Sequence, residues 1–566
     1  MANPSAPLHD SSWPNPVIAP SPGLRLPGRL PAAAWHLASV QAVALILALA
    51  VAAGALFRCY GLDYGGFSED EVAKVGALRA YERGDFTANA EHPILMKAAM
   101  WASLAAARSW NRVAGGTRLP AVSAEAALRL PNALAGAAAV VPLFLLVRSF
   151  FGTSAALWAS VFLALNVTVT GINRIGKEDT FLVLFLLLGA WLYEEARRRH
   201  LLDGEAPHGW YAASGAAFGL MLASKYLIYY LGLWALFGLA ASAEARRGGA
   251  DARAAAGDQR ASKWFYLAIA GGFVAGDPVI LMPATWLYGL HYVAGHTITH
   301  HGAAFAGQLY LNQPAATPWG LPWYFYLAYL VTKTPLPVLG AMGLGLVELV
   351  RRRRERGAVF ARVFLIFFLL PSSLAASKFG RYLLPTLVVL DVVAALGAVR
   401  AFRWLAGLAH PTRALAAGAL AGALVGGPLF AQIAWSPHQT LYQNVLGRAM
   451  SPPGRMFPND ELYDMGVREA VEWIAARAAP GASIASDSPG VVAEYLRRYG
   501  RPDLEARYLS MAGLAVPPTQ TWLLASESHA CFESIQVVKQ VRARQRPDFV
   551  YRVRGTAAVE AYRLPW

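Results

Sequence analysis

Cysteine is nearly missing from this chain: Cys59 and Cys531 are the only two among 566 residues. Two thiols cannot build a disulfide framework, and neither sits in a zinc-type spacing. One bridge between them, or two unrelated thiols, are both compatible with the sequence. Charge is scarce too. Asp, Glu, Lys and Arg make up 15% of the chain, against about a quarter in an ordinary soluble protein. Hydrophobic residues reach 56% and the mean hydropathy is +0.36. So little charge over this length excludes a string of soluble domains and leaves a multi-pass membrane protein. Acidic residues are the rarer sign, 35 against 50 basic. The positive excess lies beside apolar runs, as the positive-inside rule requires, so nucleic acid is not an expected partner. No repeat of 20–50 residues is visible.

What the sequence does hold is a series of apolar runs. Residues 1–35 are rich in Pro, Ser and Ala without periodicity and read as a disordered tail. That stretch is too long for a typical signal peptide, so the first run reads as a retained anchor. Runs at 35–57, 127–147, 154–170, 180–193, 210–223, 227–240, 264–281, 336–350, 359–370, 382–399 and 415–434 predict about eleven spans. Arg148, Arg197–Arg199, Arg246, Arg247, Arg351–Arg354, Arg400, Arg403 and Arg413 fall in alternate loops, which makes that side, and the N-terminus, cytoplasmic. Residues 36–435 then form a mostly α, polytopic domain in the cell (inner) membrane. Polar residues return over 436–566, with a helical pattern at 464–478 and strand-like runs near 483–486, 521–524 and 549–554. This segment reads as a small extracytoplasmic α/β domain.

The chemistry gathers on the outer side. The first outer loop, 58–97, contains FSEDEVAKVGALRAYERGDFTANAEHPILMK, and 98–108 continues it as an amphipathic interfacial stretch. Asp70 and Glu71 offer a general base or metal ligands; the plainer alternative is helix N-terminal acids opposing the dipole. Arg174-Ile-Gly-Lys-Glu-Asp179 puts a guanidinium at the membrane surface, where it could grip a lipid phosphate or simply anchor a helix end. Lys225, Lys378 and Arg381 share that side, which favours the phosphate. Loop 285–334 is rich in His, Trp and Tyr. His296 and His300 have i,i+4 spacing, yet no accompanying pattern makes them a metal site, so no metal is assigned and a divalent ion is left open. Asn166-Val-Thr168 matches a glycosylation sequon at a span end, and Asp277 and Asp391 receive no role.

In order along the chain, Asp70-Glu71, His92-Pro-Ile-Leu-Met-Lys97, Arg129-Leu-Pro, Arg174 with Asp179, Ser-Lys225-Tyr and Lys378-Phe-Gly-Arg381-Tyr-Leu-Leu-Pro resemble the polyprenyl-phosphate-sugar-dependent GT-C glycosyltransferases. The protein O-mannosyltransferases are the most similar branch, with His-Pro-Pro-Leu-Gly-Lys in the first loop; here Ile94 and Met96 replace the second proline and the glycine. The resemblance covers roughly residues 40–400 and implies a GT-C-like bundle. It implies Asp70 as base on an acceptor hydroxyl, Glu71 as its orienter or an acceptor contact, and Arg174 on the lipid phosphate, supported by Lys225. His92, Lys97, Asp179, Lys378 and Arg381 complete the implied substrate site. The implied partners are a polyprenyl-phosphate sugar, a protein or lipid acceptor, and membrane lipids. The expected reaction is inverting transfer of a hexose, mannose foremost, to Ser or Thr of a protein. Transfer to a lipid, as in lipid A aminoarabinose transferases, is the alternative, since loop 285–334 is too short for the trefoil domain of eukaryotic members. A transporter would need mid-membrane ionisable groups and inverted repeats, and no such repeat is seen.

Overall fold

The computed structural model describes residues 32–203, 207–247, 263–295, 300–312, 320–509 and 520–564. Residues 47–566 form one compact unit; of the other, residues 1–46, the described part is the start of helix Ala32–Cys59. The expected disordered tail lies outside the described residues except for positions 32–35, which are helical.

Each predicted apolar run falls on a helix or on a pair of consecutive helices. Among the described residues, however, only five helices are long and apolar enough to cross a membrane: Ser39–Cys59, Ala124–Phe151, Arg356–Leu374, Gly380–Leu405 and Thr412–Trp435. A sixth crossing arises if Thr153–Leu165 and Val167–Asn173, bent by 58°, count as one. The other helices are shorter or carry charge, as Asp179–Asp203 does in its Glu194–Arg199 stretch. The bend has a local cause. Asn166 ends one helix and caps the next, accepting from the Val169 amide at 3.1 Å, while its side-chain NH2 donates to Asp391. Small residues let helices close up: a Cβ on Gly345 would lie 1.8 Å from the Val393 carbonyl oxygen, so helices Leu336–Arg351 and Leu384–Leu405 meet backbone to backbone there.

The described residues of loop 285–334 include regular structure. They contain most of helix Pro283–Gly295, a hairpin of His300–Phe305 with Gln308–Asn312, and helix Phe325–Lys333. Ala306 (φ 49°) and Gly307 (φ 81°) form the hairpin's two-residue turn, where glycine carries no Cβ penalty. His296 lies outside the described residues. Both cysteines are free and partly buried.

The C-terminal segment forms a five-stranded sheet in the order Glu505–Tyr508, Ser483–Ser486, Thr521–Ser526, Thr556–Leu564, Phe549–Val553. The first three strands are parallel and the last two pair antiparallel. One face buries Ile484, Trp522 and Leu524 against Val471, Ile474, Val492 and Tyr495. Phe67, Val75, Leu78 and Tyr81, from the first outer loop, belong to this same core. A second core on the sheet, with Leu509, Leu523, Val537 and Tyr562, is wholly the segment's own, and the segment lies within the same compact unit as the helices from Leu47 onward.

Candidate active site

The first outer loop folds as helix Glu69–Glu82, and its start is specified locally. Ser68 Oγ accepts from the Glu71 amide while Glu71 Oε2 accepts from the Ser68 amide at 3.0 Å, a capping box. Glu71 also takes both arms of Arg129, each at 2.7 Å, and the Gly176 amide at 2.9 Å. Burial would raise its pKa, but Arg129 and these hydrogen bonds bring it below the usual carboxylate value. Gly176 is required by closeness: a Cβ there would stand 2.9 Å from Leu128 and Met100 and 3.2 Å from Glu71. Glu71 is thus wholly buried and fully occupied, so the expectation that it touches acceptor gives way to a clamp joining three segments.

Asp70 is the neighbouring carboxylate, one position earlier, and points the other way. Its side chain is 35% exposed. Lys177 Nζ lies 2.7 Å from Oδ1; on Oδ2, Tyr463 donates at 2.9 Å and an Arg381 nitrogen stands at 3.7 Å. Burial pushes the Asp70 pKa up, but Lys177, Arg381 and Lys74 together hold it well below the carboxylate range. Behind Lys177 is Glu178, 1% exposed, paired with Lys74 at 2.9 Å. The result is an alternating chain of charges, Arg381, Asp70, Lys177, Glu178 and Lys74, closed to solvent except at Asp70. Arg381 is fixed by ring faces, its guanidinium 4.2 Å from the Phe379 centroid and 5.9 Å from that of Tyr463.

Other expected site residues lie differently. Arg174 gives its guanidinium to the carbonyl oxygens of Phe57, Arg58, Tyr60 and Gly61, capping the first helix. It lines a cleft of about 40 Å³ with Arg129, Gln439 and Tyr463, which Asp70 does not line. That space suits a water rather than a sugar phosphate. The phosphate-gripping role expected of Arg174 therefore does not match its contacts, and the cations beside Asp70 are Lys177 and Arg381. Lys97, 1% exposed, donates to the carbonyls of Asn89 and His92. Lys378, 2% exposed, donates to those of Leu321 and Ala375. Both ammonium groups are committed to loop backbone, and burial lowers each pKa to about 8. Asp179 pairs with Lys225 at 2.8 Å, with Lys225 also 5.3 Å from the Tyr382 centroid. His92 Nδ1 is 4.0 Å from Glu178; burial, with Lys74 and Lys177, lowers its pKa to about 4, so the ring is neutral at neutral pH.

Sequence reasoning passed over Lys177, although it lies inside the Arg174–Asp179 run, because arginine is the more obvious phosphate ligand. Tyr463 left no signal, being 393 positions from its partner. Among the described residues no three His, Cys, Asp or Glu side chains gather as a metal site.

Residues 113–256 match the family model for dolichyl-phosphate-mannose-protein mannosyltransferase, a stretch that includes Lys177 and Lys225 but not Asp70. A 102-residue stretch is 36% identical to YkcB of Bacillus subtilis, a mannosyltransferase by name; it is 18% of this chain and 13% of that relative's length. Among solved structures, ArnT of Cupriavidus metallidurans bound to undecaprenyl phosphate superposes with a TM-score of 0.50 at 14% identity, over 94% of this chain and 98% of that one. Its apo form gives 0.50 at 16% identity, over 93% and 98%. The chain thus shares the overall fold of ArnT, and one segment of it is similar to mannosyltransferases.

Proposed function

We propose that the protein passes a hexose, mannose foremost, from a polyprenyl phosphate to a hydroxyl acceptor, Ser or Thr of a protein, with inversion at the anomeric carbon. One observation carries the reading: Asp70 is the open end of an otherwise buried charge network, with two cations within 4 Å of it. Asp70 takes the acceptor's hydroxyl proton as the oxygen attacks the anomeric carbon. The opposite carbon–oxygen bond breaks, and its electron pair leaves on the polyprenyl phosphate. Lys177 and Arg381 take up the growing phosphate charge. A phosphate drawing on these cations also loosens their hold on Asp70, raising its pKa toward the range where a general base works best. The arginine-rich loops support a reading with this chemistry on the extracytoplasmic side, the N-terminus cytoplasmic and residues 436–566 outside.

A lipid acceptor is the second reading. It is favoured by loop 285–334, whose described residues hold helical segments and a hairpin rather than an inserted acceptor-binding domain. The test is purified protein incubated with a panel of polyprenyl-phosphate sugars, with peptide and lipid acceptors followed by mass spectrometry. Asp70→Asn is expected to abolish transfer while membrane insertion stays normal. Unchanged turnover in that variant overturns the reading.

A further inference from the structure

Two consecutive non-glycine residues of the C-terminal segment, Tyr463 (φ 46°) and Asp464 (φ 62°), adopt the left-handed conformation. Aspartate tolerates that conformation through its short polar side chain, but for tyrosine it is uncommon and costs about 1 kcal/mol or more. Strain of this kind persists where surrounding contacts over-determine it, and here both side chains reach the start of the helix that carries Asp70. Tyr463 donates to Asp70 Oδ2 at 2.9 Å. Asp464 Oδ2 accepts from the Glu69 amide at 2.9 Å, occupying one of the helix's free N–H groups. Asp464 is itself held by His529 Nε2 at 2.7 Å and by Ser528 Oγ at 2.9 Å. The phenol is half-buried, and that burial, with the Asp70 carboxylate beside it, raises its pKa and keeps it a donor.

We infer that Tyr463 is a positioning residue for the base: the C-terminal segment reaches into the catalytic loop and, through the Tyr463 hydroxyl, fixes the orientation and charge state of Asp70. This rests on the reading of Asp70 as base. The groups facing that carboxylate are Lys177 from the loop after Asn173, Arg381 from the turn before Leu384, Lys74 and Glu69 from its own helix, and Tyr463. All except Tyr463 are retained when its hydroxyl alone is removed. A hydrogen bond to the ionised carboxylate favours that form. Losing it raises the Asp70 pKa, so the acid limb of the rate profile moves to higher pH.

The experiment is Tyr463→Phe in the full chain, with kcat, donor KM and the acid limb of kcat/KM measured beside wild type and Asp70→Asn. The expected result is a kcat about tenfold lower, donor KM unchanged and the acid limb displaced upward by about one pH unit. Tyr463→His, which keeps a donor on a ring, is expected to recover part of the kcat. Thermal unfolding of each variant identifies any loss that comes from folding alone. If Asp70→Asn still turns over, the reading of Asp70 as base fails. If Asp70→Asn is inactive but Tyr463→Phe keeps the wild-type kcat and acid limb, this inference alone fails.

Discussion

Two cations that look equivalent in the sequence have opposite surroundings. Arg174 spends its guanidinium on four carbonyls of the first helix's end, where the dipole is negative. Lys177, three positions later, meets the exposed carboxylate directly. Lys177→Gln is therefore expected to lower kcat/KM for donor by at least about a hundredfold, the scale of losing one charge-stabilising donor, with little change in the unfolding temperature. Arg174→Gln is expected to do the reverse, lowering thermal stability with donor KM near wild type. Steady-state kinetics and unfolding in detergent on the two variants separate the roles, and an Arg174 variant that folds normally but loses donor affinity would return the phosphate to Arg174. The run from Arg174 to Asp179 was legible as important because ionisable groups are expensive beside apolar helices. Which member meets the ligand was not, since that depends on where the first helix ends.

Glu71 shows how a single element is built to hold one side chain open. Its capping box starts helix Glu69–Glu82, its ion pair ties that helix to Arg129, and its bond to the Gly176 amide ties it to the loop bearing Lys177. Three segments far apart in sequence are thereby registered around one buried carboxylate, and Asp70 is left on the other face. Removing one partner of a buried pair leaves the other charge uncompensated, at a cost of about 3–5 kcal/mol. Glu71→Gln is accordingly expected to lower the unfolding temperature markedly, with the donor KM of the folded fraction unchanged; a fully stable variant that lost activity would make Glu71 a substrate ligand after all. The Ser68-x-x-Glu71 signature of this helix start was present in the sequence. The partners Arg129 and Gly176 were not readable from it, because pairing across 58 and 105 positions is set by tertiary packing. The apolar runs, by contrast, each marked a helix or a consecutive pair, since burial in lipid or core demands the same composition, while the amphipathic 20-residue helix Leu95–Ala114 lay outside them. Among the described residues five of these helices, or six with the bent pair, are long and apolar enough to cross by themselves.

At the scale of the whole molecule, the C-terminal segment is the back wall of the site. The sheet and the first outer loop share one hydrophobic core, and Asp464 with His529 fastens the sheet side to the start of the Asp70 helix. Sequence composition separated residues 436–566 from the helices before them, yet could not show that their core is completed by Phe67, Val75 and Leu78. The fastening has a pH signature. Burial acts to lower the His529 pKa, but Asp464 more than offsets it, and the folded value is raised to about 10 against about 6.5 in an unfolded chain. A group whose pKa rises on folding contributes its full stability below the unfolded value and loses it as pH climbs through the folded one. Wild-type protein is therefore expected to lose thermal stability progressively between about pH 6.5 and 10, in step with His529 titration. In His529→Asn that part of the slope disappears, and the variant starts from a lower unfolding temperature at pH 6.5. Should the two proteins show parallel pH dependence, Asp464 and His529 are not the fastening, and the shared apolar core alone holds the C-terminal segment against the Asp70 helix.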